Sequence, residues 1–170
     1  KWLVNNQLKR NYLEIKSVND LVDSKKPVIN LNLNKIDPPD FQLNKFFYKE
    51  IGKKHRWIDR LTWSDRNWSD YLNSSNVKTY VLKENEDLIG FFEQIFYNDK
   101  LECEIAYFGI LEEYIGKKFG GYLLSEAIKK SFNFGSKRVW VHTCSLDHKH
   151  ALKNYLSRGM KIYKSEIIDL

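Results

Sequence analysis

Residues 104–121, EIAYFGILEEYIGKKFGG, constrain the fold more than any other stretch of the chain. An apolar run alternating around Ala106, Phe108 and Ile110, with Tyr107 between, reads as a strand. A helix follows at once, because Leu124, Ile128 and Phe132 recur every fourth residue beside Leu123 and Ala127. Gly116, Lys117, Lys118, Gly120 and Gly121 fill the turn between them. Backbone N–H groups at such a helix start can face an anion, so this geometry suits phosphate or pyrophosphate. A strand–helix turn that needs glycine only for close packing satisfies the same spacing.

Downstream residues extend the pattern. Lys137–Thr143 reads as a strand, and DHKHALKNYLSRGM as a helix with Asp147 as N-cap and Gly159 as its left-handed stop. Upstream, 11–17 and 27–33 are strand candidates, and the Pro38-Pro39 pair makes the clearest break. Helices are expected over 41–51 and 64–72, the latter capped by Ser64, with strands at 77–83, 88–97 and 101–110. The expected fold is α/β in the mixed α+β sense. A central, mostly antiparallel twisted sheet of six to seven strands is flanked by helices on both faces.

The loop resembles the pyrophosphate loop of the GNAT acyltransferases, which bind acetyl-coenzyme A. Their motif Arg/Gln-x-x-Gly-x-Gly/Ala falls on Ile115, Lys118 and Gly120, and their Ala-x-x-x-Tyr-x-x-x-Gly-Phe segment is similar to Ala151, Tyr155, Gly159 and Met160. The resemblance is firm over 77–163, extends less securely back to Asn44, and leaves the first forty residues nearly uncovered. Two departures stand out. Ile115 replaces a polar side chain, and Lys118 replaces a glycine where a left-handed backbone would disfavour a side chain. Lys117 and Lys118 offer charge in compensation.

The resemblance implies one acyltransferase domain over 1–170 that moves an acetyl group from acetyl-coenzyme A to a primary amine. The cofactor-binding residues it implies are Phe108, Ile110, Leu111, Ile115, Gly116, Lys117, Lys118, Phe119, Gly120, Gly121 and His148. The backbone N–H of Ile110 or Leu111 is expected to polarise the thioester carbonyl. An amine must be neutral to attack, so a base is needed. Glu104 opens a Glu-Ile-Ala-Tyr segment similar to the one that carries the base in the histone-acetyltransferase branch. Its apolar strand would raise its pKa, although a salt-bridged structural Glu fits the pattern too. Glu93 is expected to lie beside Glu104 across an antiparallel pair, as a second carboxylate or as part of an acidic amine pocket. Tyr155 is the expected proton donor to the departing thiolate; a core aromatic is the alternative reading. Trp57, Asp59, Trp63 and Glu93 are the acceptor-site candidates, by cation–π contact and ion pairing.

Composition limits the rivals. The chain has 170 residues, 42% of them hydrophobic, and a net charge of +6 from 28 basic and 22 acidic residues, which suits a polyanionic ligand. No long basic block or RNA-binding motif argues for nucleic acid. No apolar run reaches the roughly 18 residues of a spanning helix, and no secretory leader is visible, so a cytoplasmic protein off the membrane is expected. Cys103 and Cys144 are expected as free thiols. His142, His148 and His150 lack partners at zinc spacing, so no metal is expected. Without a cysteine nucleophile, direct attack in a ternary complex is favoured over an acyl-enzyme, in a monomer or homodimer. Two alternatives stand beside it: a non-catalytic acyl-coenzyme A-binding module on the same fold, and a basic adaptor for nucleic acid or acidic proteins.

Overall fold

The computed structural model describes residues 7–169. Two strands, β1 (Gln7–Ile15) and β2 (Leu31–Lys35), precede helices α1 (Phe41–Gly52) and α2 (Asp65–Leu72). Strands β3 (Val77–Glu84), β4 (Asp87–Tyr97) and β5 (Glu102–Ile110) follow as a meander. Then come α3 (Phe119–Asn133), β6 (Arg138–Cys144), the short α4 (Ala151–Ser157) and β7 (Lys161–Asp169). The strands make one sheet in the order β2-β3-β4-β5-β6-β1-β7, antiparallel except where β5 meets β6.

Local chemistry sets the helix starts. The Asp40 carboxylate accepts from the N–H groups of Gln42 and Leu43, opening α1. Ser64 and Asn67 exchange side-chain and backbone bonds in a capping box that opens α2. Leu123, Leu124, Ala127 and Ile128 turn the buried stripe of α3 onto one sheet face, against Leu13, Phe92, Ile105, Val139 and Val141. The opposite face is covered over β3, β4 and β5 by α1 and α2, through Phe47 and Ile51 on Val81 and Phe91, and through Tyr48, Trp68 and Leu72. The fold is therefore the mixed, seven-stranded, mostly antiparallel arrangement expected from the sequence.

The N-terminal strands differ from expectation. The first covers Gln7–Ile15 rather than 11–17, and the second Leu31–Lys35 rather than 27–33. More important, they are far apart: β2 is an edge strand, whereas β1 is inserted between β6 and β7. The chain from 16 to 30 crosses the helical face to join them. On the way Val22 donates to the Arg158 carbonyl at 2.9 Å and the Ser24 N–H to Ser125 Oγ at 3.0 Å. Pairing between strands this distant in sequence leaves no local signature, which is why the spacing did not reveal it.

Because β6 and β7 touch only through β1, that strand is part of the core. Leu13, with no exposed surface, is its anchor. Leu13→Ala is expected to cost about 2–5 kcal/mol in urea denaturation, as a central-core leucine would. A loss below about 0.5 kcal/mol, the range of surface substitutions, would make β1 an appendage.

Candidate active site

Strand β5 pairs with β6 over only three positions, Glu102–Arg138, Cys103–Val139 and Glu104–Trp140. Beyond them the two strands part. At the same level β5 carries a bulge: Glu93 of β4 pairs with Tyr107, but Gln94 pairs with Ile105, leaving Ala106 as the extra residue. The bulge breaks the strict alternation read from the sequence. Cys103 and Ile105 point to α3 before it, and Phe108 and Ile110 after it, so Glu104 and Tyr107 share the α1–α2 face. The gap between the parted strands is a cleft of about 760 Å³ that reaches both faces of the sheet.

At the α3 side the cleft ends on the glycine turn. Gly116 and Lys118 both take left-handed backbone, at φ of 86° and 69°. Lys118 thus adopts the conformation its side chain disfavours, contrary to the expectation that it would resist a strained turn, and it forms the N-cap of α3. Asn154 of α4 donates through Nδ2 to the Gly120 carbonyl at 3.1 Å, tying the helix start to α4. A Cβ on Gly121 would lie 2.4 Å from Arg158 Nη1 and 2.8 Å from Ser24 Oγ, so a side chain there would displace the guanidinium from the first turn of α3. Phe108, Ile110, Ile115, Gly116, Lys118, Gly120, Gly121 and His148 line this cleft. Lys117 does not; it borders a neighbouring cavity of about 650 Å³ together with Lys25, Lys26 and Lys118. Phe119 is core, packed edge-on against Tyr114. Leu111 is buried and its N–H is committed to the Ile89 carbonyl at 2.8 Å, so it is not free to polarise a ligand.

Tyr155 reaches the cleft from α4. It is buried, packs edge-on to Phe108, and its hydroxyl makes no hydrogen bond among the described residues. Burial, helped by the Asp147 charge, pushes its phenol well above the ordinary range. Asp147 is not the expected helix cap. It holds its own turn by accepting from the Thr143 hydroxyl and, at 3.0 Å, from the Cys144 N–H, while α4 begins later, after His150.

On the other face Glu104 lines the cleft and accepts from the Tyr97 hydroxyl at 2.8 Å. Burial raises its pKa above the usual carboxylate value, opposed by the Tyr97 hydrogen bond and the Arg60 charge. Glu93 does not stand across from it, since Ile95 occupies that position. Glu93 has no exposed surface, and its carboxylate is fully engaged by Arg60 Nη1 at 3.0 and 3.2 Å, Tyr71 at 2.8 Å and Asn44 at 2.9 Å. Arg60, 5% exposed, is boxed by the rings of Tyr48, Trp63, Trp68, Tyr71 and Tyr107. Trp63 is thus a wall of this cage rather than of the cleft. Trp57 and Asp59 do line the cleft, Asp59 accepting on one oxygen from Tyr107 at 2.5 Å and Tyr48 at 3.1 Å.

Sequence reasoning missed Arg10, Arg60, Tyr97, Tyr107 and Asn154. Arg10 lies on a strand whose place in the sheet was hidden, and Arg60 looked like one more surface cation. His142 and Cys144 both line the cleft. Burial holds the Cys144 thiol above its usual pKa, against thiolate chemistry. The described residues contain no cluster of three or more His, Cys, Asp or Glu able to hold a metal ion, and no helix long and apolar enough to cross a membrane.

The profile of the acetyltransferase (GNAT) family matches residues 41–160. That is well over half of the chain, which therefore belongs to this family of acetyltransferases. A search of curated proteins finds no match. Solved structures share the fold. An aminoglycoside acetyltransferase from an uncultured soil metagenomic sample, solved with trehalose, superposes with a TM-score of 0.63 at 15% identity, over 76% of this chain and 87% of that one. The IAA acetyltransferase of Bacillus cereus gives 0.58 at 21% identity, over 79% of each chain. A GCN5-related N-acetyltransferase from Sphaerobacter thermophilus gives 0.64 at 15% identity, over 96% of this chain but 54% of its own.

The Arg60–Glu93 pair generates a stability prediction. Glu93→Ala leaves a guanidinium buried without its counter-ion and is expected to cost about 3–5 kcal/mol in denaturant unfolding. A change under about 1 kcal/mol, the value of an exposed pair, would mean the ion pair is dispensable.

Proposed function

We propose that this protein transfers an acetyl group from acetyl-coenzyme A directly to a primary amine. The observation that carries the reading is that Tyr155 and Glu104 line one continuous cleft, one from the α4 side and the other from the α1–α2 face. Two substrates can therefore enter from opposite faces and meet between the parted strands, without a covalent relay through the protein. The absence of a low-pKa thiol at Cys144 fits the same direct transfer.

The residues present suit coenzyme A. The left-handed turn at Gly116–Lys118 aims the first N–H groups of a 15-residue helix outward, where they and the Lys118 ammonium would hold a pyrophosphate. The cleft-side edge of β5 beyond Glu104 offers backbone groups that β6 does not pair, which suit the amides of a pantetheine arm. Bound acetyl-coenzyme A would supply the activated acetyl thioester. Ile110 keeps the proposed role of polarising the thioester carbonyl; the committed Leu111 N–H loses it.

Glu104 is the proposed base. Its raised pKa makes it a stronger proton acceptor than an ordinary carboxylate. Tyr155, held protonated by burial, is the proposed donor to the departing sulfur. Glu93 leaves the catalytic and acceptor sets and becomes the anchor of Arg60. Asp59 and Trp57 remain acceptor-side residues, Asp59 with its second carboxylate oxygen open to a cationic amine. The rival, a binding module without turnover, would show coenzyme A affinity and no acetylation across a broad amine panel.

Two kinetic outcomes test the assignment. Tyr155→Phe is expected to lower kcat roughly 10- to 10³-fold, with acetyl-coenzyme A affinity by calorimetry nearly unchanged. A wild-type kcat would return Tyr155 to packing.

The base must be ionised, so kcat/KM should rise with pH through the Glu104 pKa. Tyr97 donates to the carboxylate and lowers that pKa, hence Tyr97→Phe should move the ascending limb to higher pH. Glu104→Gln should lower the rate and move the limb toward the pKa of the free amine. If both variants keep the wild-type profile, Glu104 is not the base.

A further inference from the structure

One wall of the acceptor end is built from outside the family-matched segment. Strand β1 sets Arg10 opposite Cys144 of β6 and Glu166 of β7, placing Leu8 and Arg10 in the cleft beside Ile168. Arg10 is poorly satisfied there. Its Nη1 lies 3.4 Å from the Tyr12 hydroxyl and 3.9 Å from Glu166, whose same carboxylate oxygen already accepts from Tyr12 at 2.7 Å. Its Nε is buried with no hydrogen-bond partner. A guanidinium presents a planar fork that matches a carboxylate at two points, and among the described residues only its Nη1 has partners, at long range, so no carboxylate meets the fork at two points.

The opposite side of the cleft carries two carboxylates, near Arg56 and the Glu93-paired Arg60. Asp59 and Glu104 line it, and His142 lies within electrostatic reach of both Arg10 and Asp59. A simple polyamine would be welcomed by the carboxylates and repelled by Arg10. A molecule bearing both charges would satisfy the two walls together. Along β6, Arg10 pairs at Cys144 and Glu104 at Trp140, four residues apart, or roughly 13 Å at the rise of a strand. The two charges of the ligand are therefore separated by several bonds.

We infer that the amine acceptor is a small zwitterion, whose carboxylate is gripped by Arg10 while its primary amine lies toward Glu104. The inference rests on the acetyl-transfer reading and names its substrate class. In the reaction the amine nitrogen bonds to the acetyl carbon as the C–S bond breaks. Glu104 takes the amine proton, and the sulfur receives one from Tyr155. Arg10 is a specificity residue and takes no part in these proton transfers.

The test compares matched acceptors with and without a carboxylate: 5-aminopentanoate against pentylamine, and lysine against cadaverine. The wild-type kcat/KM is expected to favour the carboxylate-bearing member of each pair by roughly 10-fold or more, the scale of a charge-assisted hydrogen bond. Arg10→Met keeps most of the stem and removes the fork; the ratio should collapse toward one, chiefly through KM. Arg10→Lys should keep part of it. Calorimetric titration with coenzyme A separates the two levels of the argument. No coenzyme A binding by the wild type would remove the acetyl-transfer reading itself. With coenzyme A bound, equal use of both members, exclusive use of the carboxylate-free amines, or no acetylation at all would overturn the zwitterion. A ratio unchanged in a folded Arg10→Met variant would overturn the role of Arg10.

Discussion

Three pairs of residues hold β5 to β6, and the rest of the molecule is arranged around the place where that pairing stops. A parallel pair that continued would be an ordinary closed sheet with no route between its faces. By ending at Glu104 and Trp140, and by placing a bulge at Ala106, the sheet opens a cleft without losing its core on either side. The bulge also decides chemistry. It returns Phe108 and Ile110 to the α3 side, where the acyl donor is proposed to lie, and leaves Glu104 and Tyr107 on the opposite face, the proposed acceptor side. One inserted residue thus divides the two proposed substrate sides.

An opened sheet needs its far wall fixed, and here the buried Arg60–Glu93 pair does that. The segment between α1 and α2 has no regular structure to hold it against β4. Arg60 pins it there, with Glu93, Tyr71 and Asn44 satisfying the charges and five aromatic rings excluding water. Burial alone would pull the guanidinium pKa down; the Glu93 charge outweighs it and keeps Arg60 cationic. Asp59, next in the chain, is thereby presented to the cleft with Tyr48 and Tyr107 on one oxygen. The acceptor-side carboxylate is exposed because its neighbour is buried.

Much of this was legible in the sequence where structure is local. The cap at Ser64, the stripe of α3 and the glycine turn are each written within a few residues, whereas the cap at Asp40 was passed over as part of the Pro38-Pro39 break. What was hidden depended on long-range pairing. Alternation placed Glu104 on a strand but not the bulge beside it, so Glu93 was set opposite Glu104 when Ile95 holds that place. Glu93 and Glu104 were both read as site carboxylates, yet one accepts four hydrogen bonds in the core and the other a single one at the cleft. Asp147 carried the composition of a helix cap, but its carboxylate is spent on the preceding turn. At Lys118 the intrinsic cost of left-handed backbone was read correctly and its outcome was not. The turn from β5 into α3 fixes that φ whatever residue occupies it.

The position of β1 bears on how such a cleft acquires selectivity. Residues 41–160 contain the glycine turn, Glu104 and Tyr155, to which the proposed acetyl transfer assigns its donor site, base and acid. Leu8, Arg10 and Ile168 lie outside that segment, yet they border the same cleft. A strand inserted between β6 and β7 can change the side chains it offers without disturbing the parted pair that creates the site. Its outward row, Arg10 and Tyr12, faces the cleft side, while Leu13 and Ile15 are buried in the core and hold the strand in register. Stability and the proposed acceptor choice thus fall to different residues of one strand, an arrangement that lets selectivity vary at little cost to the fold.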